Sequence, residues 1–319
     1  MYKVIFCGTP EIATAILKSL EELNLQIVAI ITQPDKLQNR KKEIMYPPVK
    51  KYGLTKNYQI LQPLKVNDMY EEIKDLKADF LITCAFGQFI PKKILDLFKN
   101  SINIHTSLLP KYRGGSPVQH ALINGDSQTG ISFMKMIKRM DAGEVYIQKA
   151  IDIDSNDNAE SLFIKITKLA QSMIKKYLID ILDGKIQGKK QNEKEVTFAY
   201  NLTNEQEEID WNKSATEVYN FIRALSPKPG AFTFLKQERI KIKTIRIIKE
   251  DEIFIIPKIA LIPGMIVNLD KEGIIVSTKA GFIKILELQR EGKKTVSAGT
   301  FNFPNSPFKI ISLFTKFSQ

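Results

Sequence analysis

Apolar residues in the first half of the chain fall in short blocks that alternate with helically spaced ones. Residues 3–8 form an apolar run ending in Gly8-Thr9-Pro10, residues 11–20 carry Ile12, Ile16 and Leu20 one turn apart, and residues 27–32 form a second β-rich run. Strand, helix and strand in that order predict parallel pairing through a right-handed crossover. Residues 66–77 are amphipathic, and residues 79–86 are nearly all apolar up to Gly87, as in a central strand covered on both faces. In residues 101–105 apolar and polar positions alternate, which sends Ile102 and Ile104 to one face and Asn103 and His105 to the other. Two further strands are expected over 129–136 and 144–153. A long helix is expected over 158–182, where Leu162, Ile166, Leu169, Met173, Ile174 and Leu178 keep helical spacing. The predicted fold of residues 1–186 is α/β, a Rossmann-like and mostly parallel sheet.

The pattern then changes. Residues 183–194 are polar, lysine-rich and contain glycine, which suggests a domain boundary, with 187–204 as linker. Residues 211–224 predict one more amphipathic helix, ended by Ser226-Pro227-Lys228-Pro229-Gly230. Beyond Ala231, short β-rich runs at 233–234, 240–248, 253–256, 265–268, 274–278, 282–287 and 308–314 predict a smaller antiparallel β-barrel, OB-like, over 205–319.

Composition narrows the picture. The 319 residues are 44% hydrophobic, enough for two soluble cores, and no apolar run is long enough to cross a bilayer. The N-terminus enters a strand at once, so no targeting segment is expected. Cys7 and Cys84 sit inside apolar runs, which predicts buried thiols and a reducing compartment. Of the net charge of +12, nine units lie in residues 211–319, where 18 Lys and Arg face nine Asp and Glu. There Lys241, Lys243, Arg246 and Lys249 alternate with Ile240, Ile242, Ile245 and Ile248, giving a basic face that is either ordinary solvated surface or a phosphate-backbone docking unit. Residues 33–51 carry Lys36, Arg40, Lys41, Lys42, Lys50 and Lys51 against Asp35 and Glu43, an exposed loop open to the same two readings.

Candidate chemistry concentrates between residues 101 and 141. An amide and an imidazole at a strand end can act on a carbonyl, the amide by donating to an oxygen that becomes negative and the ring by donating or moving a proton. Taken alone, Asn-x-His is more often a solvated edge. The chain's two histidines, His105 and His120, both fall here, and an acid follows in the small-residue loop Asp141-Ala142-Gly143. His120, among Val118, Ala121 and Leu122, reads as structural or surface. Phe86-Gly87-Gln88 lies where parallel sheets place ligands, with Phe86 either packing in the core or touching the ligand. No G-x-G-x-x-G follows the first apolar run, which argues against dinucleotide binding, and no cluster has metal-ligand spacing, so no metal is expected.

Asn103-Ile104-His105, Ser107-Leu108-Leu109-Pro110, Tyr112-Arg113-Gly114, Pro117, Thr129-Gly130 and Asp141-Ala142-Gly143 together resemble the signature of the folate-dependent formyltransferase family. The match extends, toward members acting on methionyl-tRNA, to residues 4–11, Thr32-Gln33-Pro34-Asp35, Ala85-Phe86-Gly87, Ile209-Asp210-Trp211-Asn212, Ile222-Arg223-Ala224 and Pro229-Gly230-Ala231. The resemblance implies transfer of a formyl group from 10-formyltetrahydrofolate to the α-amine of methionine on initiator tRNA. Asn103, His105 and Asp141 would be catalytic. Phe86, Gly87 and Gln88, with Ser107, Leu108, Leu109 and Pro110, would hold the folate. Arg40, Lys41 and Lys42 would reach the tRNA acceptor end, and Lys241, Lys243 and Arg246 its backbone. The family's loop near residue 40 is richer in glycine than this one. A bacterial cytoplasmic monomer without membrane attachment is implied. The competing acceptor is a small-molecule amine, against which stand the chain's length and its basic second half.

Overall fold

Strand β1 (Tyr2–Gly8) runs through helix α1 (Glu11–Glu21) to β2 (Leu25–Ile31), and the two strands pair in parallel. The computed structural model describes residues 1–38, 43–249, 252 and 261–316, which divide into two compact units. The first unit comprises residues 1–117, 128–152 and 163–201. Its chain continues through a hairpin of β3 (Lys36–Gln38) and β4 (Glu43–Met45), helix α2 (Pro48–Thr55), β5 (Ile60–Leu61), α3 (Tyr70–Asp75), β6 (Phe80–Cys84), α4 (Lys92–Leu95) and β7 (Asn100–His105). Strands β8 (Gln128–Lys135) and β9 (Val145–Asp152) and most of helix α6 (Ala159–Leu182) complete this unit, while helix α5 (Pro117–Ile123) belongs to the second beyond Pro117.

The sheet order is β5-β2-β1-β6-β7-β8-β9. Pairing is parallel from β5 through β7 and antiparallel at β8 and β9, so the expected mostly parallel α/β sheet is present. Every side chain of β6 is buried, which is why its sequence lacks alternation. The winding direction reverses between β1 and β6, so the carboxyl ends of these strands and of β7 open one crevice at the edge of the sheet.

Three local expectations need correction. The amphipathic stretch 66–77 splits into a 3-10 turn, Val66–Met69, and the short α3. The basic loop 33–51 contains the β3–β4 hairpin. Its base is fixed where Asp35 accepts from Lys50 Nζ at 2.6 Å and from Gln62 Nε2 at 2.8 Å. Most of the stretch expected as a linker is strapped to the first unit. Lys189 exchanges backbone hydrogen bonds with Val145, and Arg113 exchanges them with Thr197 and Ala199. No helix among the described residues is long and apolar enough to cross a membrane.

The second unit comprises residues 118–127, 153–162 and 202–316 of those described. Helix α7 (Ala215–Ala224) starts later than its sequence pattern, because Ser214 and Glu217 form a reciprocal capping box. Trp211 instead enters the core, donating from Nε1 to Thr233 Oγ1 and stacking on Phe314. Strands β10 (Phe232–Leu235), β11 (Glu238–Ile247), β12 (Ile266–Leu269), β13 (Ile274–Ser277), β14 (Phe282–Arg290) and β16 (Phe314–Thr315) follow the order β12-β13-β14-β11-β10-β16, with β15 (Thr295–Ser297) paired to β14. The two ends meet, since Ile266 exchanges backbone hydrogen bonds with Ile311 and Ser312, just before β16. The antiparallel sheet therefore curls into the expected small barrel around Ile240, Ile242, Ile274, Val276, Ile283 and Ile285. A strand expected over 308–314 forms only at its end, in a bridge at Leu313 and the start of β16, and the one expected over 253–256 lies outside the described residues.

Candidate active site

Asn103 sits at the carboxyl end of β7, in register with Thr83 on β6. Parallel partners share a face, and Thr83 Oγ donates to Asn103 Oδ1 at 2.8 Å. That bond fixes which end of the amide is oxygen. Nδ2 then turns toward Asp141 Oδ1 at 3.3 Å, leaving its second N–H for another acceptor. The apolar run of β6 contained this threonine, and its lone hydroxyl was the signal available.

His105 is buried, 6% exposed, two residues further along the same face. Its Nε2 lies 2.8 Å from the carbonyl oxygen of Tyr112. A carbonyl only accepts, so Nε2 carries hydrogen and Nδ1 is the nitrogen left for chemistry. Nδ1 faces Asp141 Oδ2 at 3.8 Å. The same oxygen accepts from the backbone N–H of Gly114 at 2.9 Å. Asp141 thus does not satisfy its own turn. It reaches two segments distant in sequence, from a left-handed backbone with φ of 48°.

These three side chains line a cavity of about 550 Å³, within the range of small-molecule sites. Ile104, Met134, Met136 and Ile137 supply apolar wall, and Phe86, Gly87 and Gln88 line it as well. The 85–87 turn is pinned because the Phe86 carbonyl accepts from Thr9 Oγ and from Gln33 Nε2. Gln88 is occupied at both ends of its amide, accepting from Val66 N and donating to Pro63 O. Phe86 is buried in the core and also borders the cavity.

Ser107, Leu108, Leu109 and Pro110 are not among the cavity-lining residues. Ser107 is fully buried, donates to Lys111 O, and accepts from Ser132 at its carbonyl. Leu109 is held between Ser132 and Gln148. The segment is a half-buried bracket tied to β8 and β9. His120 also lies away from the cavity. Burial pushes the Cys84 thiol up to about 12 and raises Cys7 as well, so neither offers a thiolate.

Arg40, Lys41 and Lys42 lie outside the described residues. In the barrel, Lys241 and Lys243 donate to the carbonyls of Pro229 and Pro227. Carbonyls leave the lysine charges unneutralised, and no carboxylate among the described residues pairs with either. Burial, then the charges of Lys241 and Lys228, lowers the Lys243 pKa. Arg246 differs: Glu252 binds it bidentately at 2.7 Å, and Glu272 adds a third contact.

Known proteins match this architecture throughout. A formyl transferase profile matches residues 2–178, and a formyl transferase C-terminal domain profile matches residues 201–303. The methionyl-tRNA formyltransferase of Mycoplasma capricolum is 49% identical over 301 residues, covering 94% of each chain. That of Mesoplasma florum is 48% identical and covers 95% of each. An N-formyltransferase from Helicobacter canadensis, solved with folinic acid and dTDP-3-aminofucose, shares the fold with a TM-score of 0.66 at 20% identity, covering 89% of this chain and 99% of its own. On the matches to both units, this chain belongs to the methionyl-tRNA formyltransferase branch of the formyl transferase family.

Proposed function

We propose that the protein transfers a formyl group from 10-formyltetrahydrofolate to the α-amine of methionine carried by initiator tRNA, acting as a monomer in the bacterial cytoplasm. The observation that carries this reading is the near-50% identity to methionyl-tRNA formyltransferases over 94% of the chain. The cavity supports the donor, since its apolar wall suits a flat ring system and Asn103, His105 and Asp141 border it. The bound donor supplies an electrophilic formyl carbon and an amine leaving group.

Asn103 donates its free Nδ2–H to the formyl oxygen as negative charge grows there, and His105, when protonated, offers Nδ1–H to the same oxygen. Asp141 orients His105 and, directly or through water, takes the excess proton of the attacking amine. That proton passes to the nitrogen that leaves, so one carbon–nitrogen bond forms as another breaks. The α-amine has a pKa near 8, which leaves a useful neutral fraction at neutral pH.

Residues 205–319 serve as the tRNA-binding domain. Lys228, Lys241 and Lys243 form a cluster of like charges, whose repulsion a phosphate would relieve. Arg40, Lys41 and Lys42 are proposed to meet the acceptor end. The test is a formylation assay with 10-formyltetrahydrofolate on charged initiator tRNA, charged elongator tRNA and a dTDP-amino sugar. Initiator tRNA should be used at least 10²-fold more efficiently in kcat/KM than either competitor; preference for the sugar would overturn the reading.

A further inference from the structure

The strap over residues 189–193 reaches the loop that carries Asp141 through Gln191, and Glu193 pairs with Arg139 of the same loop. Gln191 Nε2 donates to the carbonyl of Asp141 and to that of Gly143, both at 2.8 Å. One amide nitrogen so spans the turn that holds Asp141 in its left-handed conformation. Gly143 admits no substitution there, since a Cβ would lie 1.8 Å from the Lys135 carbonyl oxygen. The turn is thus closed against β8 on one side and gripped by Gln191 on the other.

The other end of Gln191 is equally committed. Its Oε1 accepts from Arg113 Nε at 3.1 Å and from Arg113 Nη2 at 2.8 Å. Arg113 is fully buried, and Glu193 of the same strap neutralises it at 2.9 Å. Arg113, then Arg139, holds the Glu193 carboxyl below the usual carboxylate range. Arg113 immediately precedes Gly114, whose N–H binds the Asp141 carboxylate, and a Cβ on Gly114 would meet the Ala199 carbonyl at 2.5 Å. The contacts close a ring. Arg113 fixes the Gln191 amide, Gln191 fixes the Asp141 backbone, and the residue after Arg113 fixes the Asp141 carboxylate.

We infer that Gln191 is a positioning residue for formyl transfer, holding Asp141 against His105 and Asn103 through the backbone, with buried Arg113 setting the orientation of its amide. This rests on the role proposed above for Asp141. It also assigns a catalytic duty to a stretch whose composition is that of a linker.

The informative variant is Gln191→Glu. A carboxylate still accepts from Arg113, so a purely structural bridge would be preserved or strengthened. It cannot donate, and it would set a negative oxygen against two carbonyl oxygens. The intact protein should show a kcat at least tenfold lower on charged initiator tRNA, with KM for 10-formyltetrahydrofolate within twofold and a displaced pH profile of kcat/KM. Hydrogen exchange in residues 137–145 should accelerate severalfold while exchange in β6 and β7 stays slow. Unchanged kcat alongside accelerated exchange would overturn the inference, and so would unchanged exchange. The exchange measurement needs no acceptor. If wild-type protein failed to formylate charged tRNA, the proposed function would fall while the clamp stood or fell on exchange alone.

Discussion

The sheet edge and the barrel's basic strand both present polar side chains in a row, yet their bonding differs. At the sheet edge, Asn103 and His105 come from one strand and Asp141 from a loop beyond the next strand, and each of the two meets that carboxylate within 3.8 Å. Each is held by at least one bond and keeps another valence open: Asn103 a second N–H, His105 its Nδ1, and Asp141 the remaining lone pairs of its oxygens. On β11, Lys241, Lys243 and Arg246 are close in sequence; the two lysines donate to carbonyls and keep their charge, whereas carboxylates already occupy Arg246. A site is recognised by groups held firmly but left with capacity to spare, and residue type alone does not reveal that. Arg246 satisfies the first condition and not the second.

The largest effect should come from the convergent trio. Asn103→Ala, His105→Ala and Asp141→Ala should each lower kcat by roughly 10²–10⁴, as loss of positioned oxyanion donors or acid–base groups does, at about 3–4 kcal/mol for an oxyanion donor. The dissociation constant for tetrahydrofolate should stay within about threefold, since the apolar wall is untouched. Equilibrium binding beside steady-state turnover checks this. A residue whose loss leaves turnover near normal does not belong to the mechanism.

Much of the first unit was legible because it obeys simple periods. Alternation over residues 101–105 placed Asn103 and His105 on one face, and continuous apolarity marked β6 as central. The resemblance then supplied Asp141, which no local pattern distinguishes from an ordinary turn residue. The three-residue step from Lys243 to Arg246 in an otherwise alternating strand also had a physical meaning, because β11 shifts register twice between Ile242 and Ile245. What stayed hidden was long-range. The Ser107–Pro110 bracket, the strap through Gln191 and the charge pairing of Arg246 depend on side-chain partners 23 to 80 residues away or on the far side of a turn. Hydrophobic periodicity carries no trace of them. A polar, lysine-rich stretch packs like 187–201 when its backbone finds open strand edges, and its composition is then that of a linker.

A subtler test addresses the sheet edge through its support. Thr83→Val keeps the shape of a buried side chain and removes the hydroxyl that orients the Asn103 amide. Loss of one neutral hydrogen bond is worth about 1 kcal/mol, so kcat should fall roughly five- to tenfold. KM for the donor should hold, and thermal stability should change little. Thr83→Ser, which retains the hydroxyl, should restore most of the rate. Equal losses in both variants would mean that packing against Met136, and not amide orientation, is what Thr83 contributes.

The smallest effect is expected on the barrel, where the comparison can be sharpened by pH. The Arg246 guanidinium, then the Lys249 backbone N–H, holds the Glu252 carboxyl down at about 2. A carboxylate depressed in the folded state contributes stability that is complete above its unfolded pKa of about 4.3 and is lost as pH falls toward its folded value. The contribution should therefore fade between about pH 4 and pH 2. In Arg246→Ala the Glu252 carboxyl should titrate near 4, seen by carbon-detected NMR, and the acid limb of the stability curve should lose that component. Affinity for charged initiator tRNA should change by less than about twofold, because the charge removed was already paired. A tenfold loss of tRNA affinity would instead show that phosphate outcompetes Glu252 for Arg246, and would return that arginine to the binding face with Lys241 and Lys243.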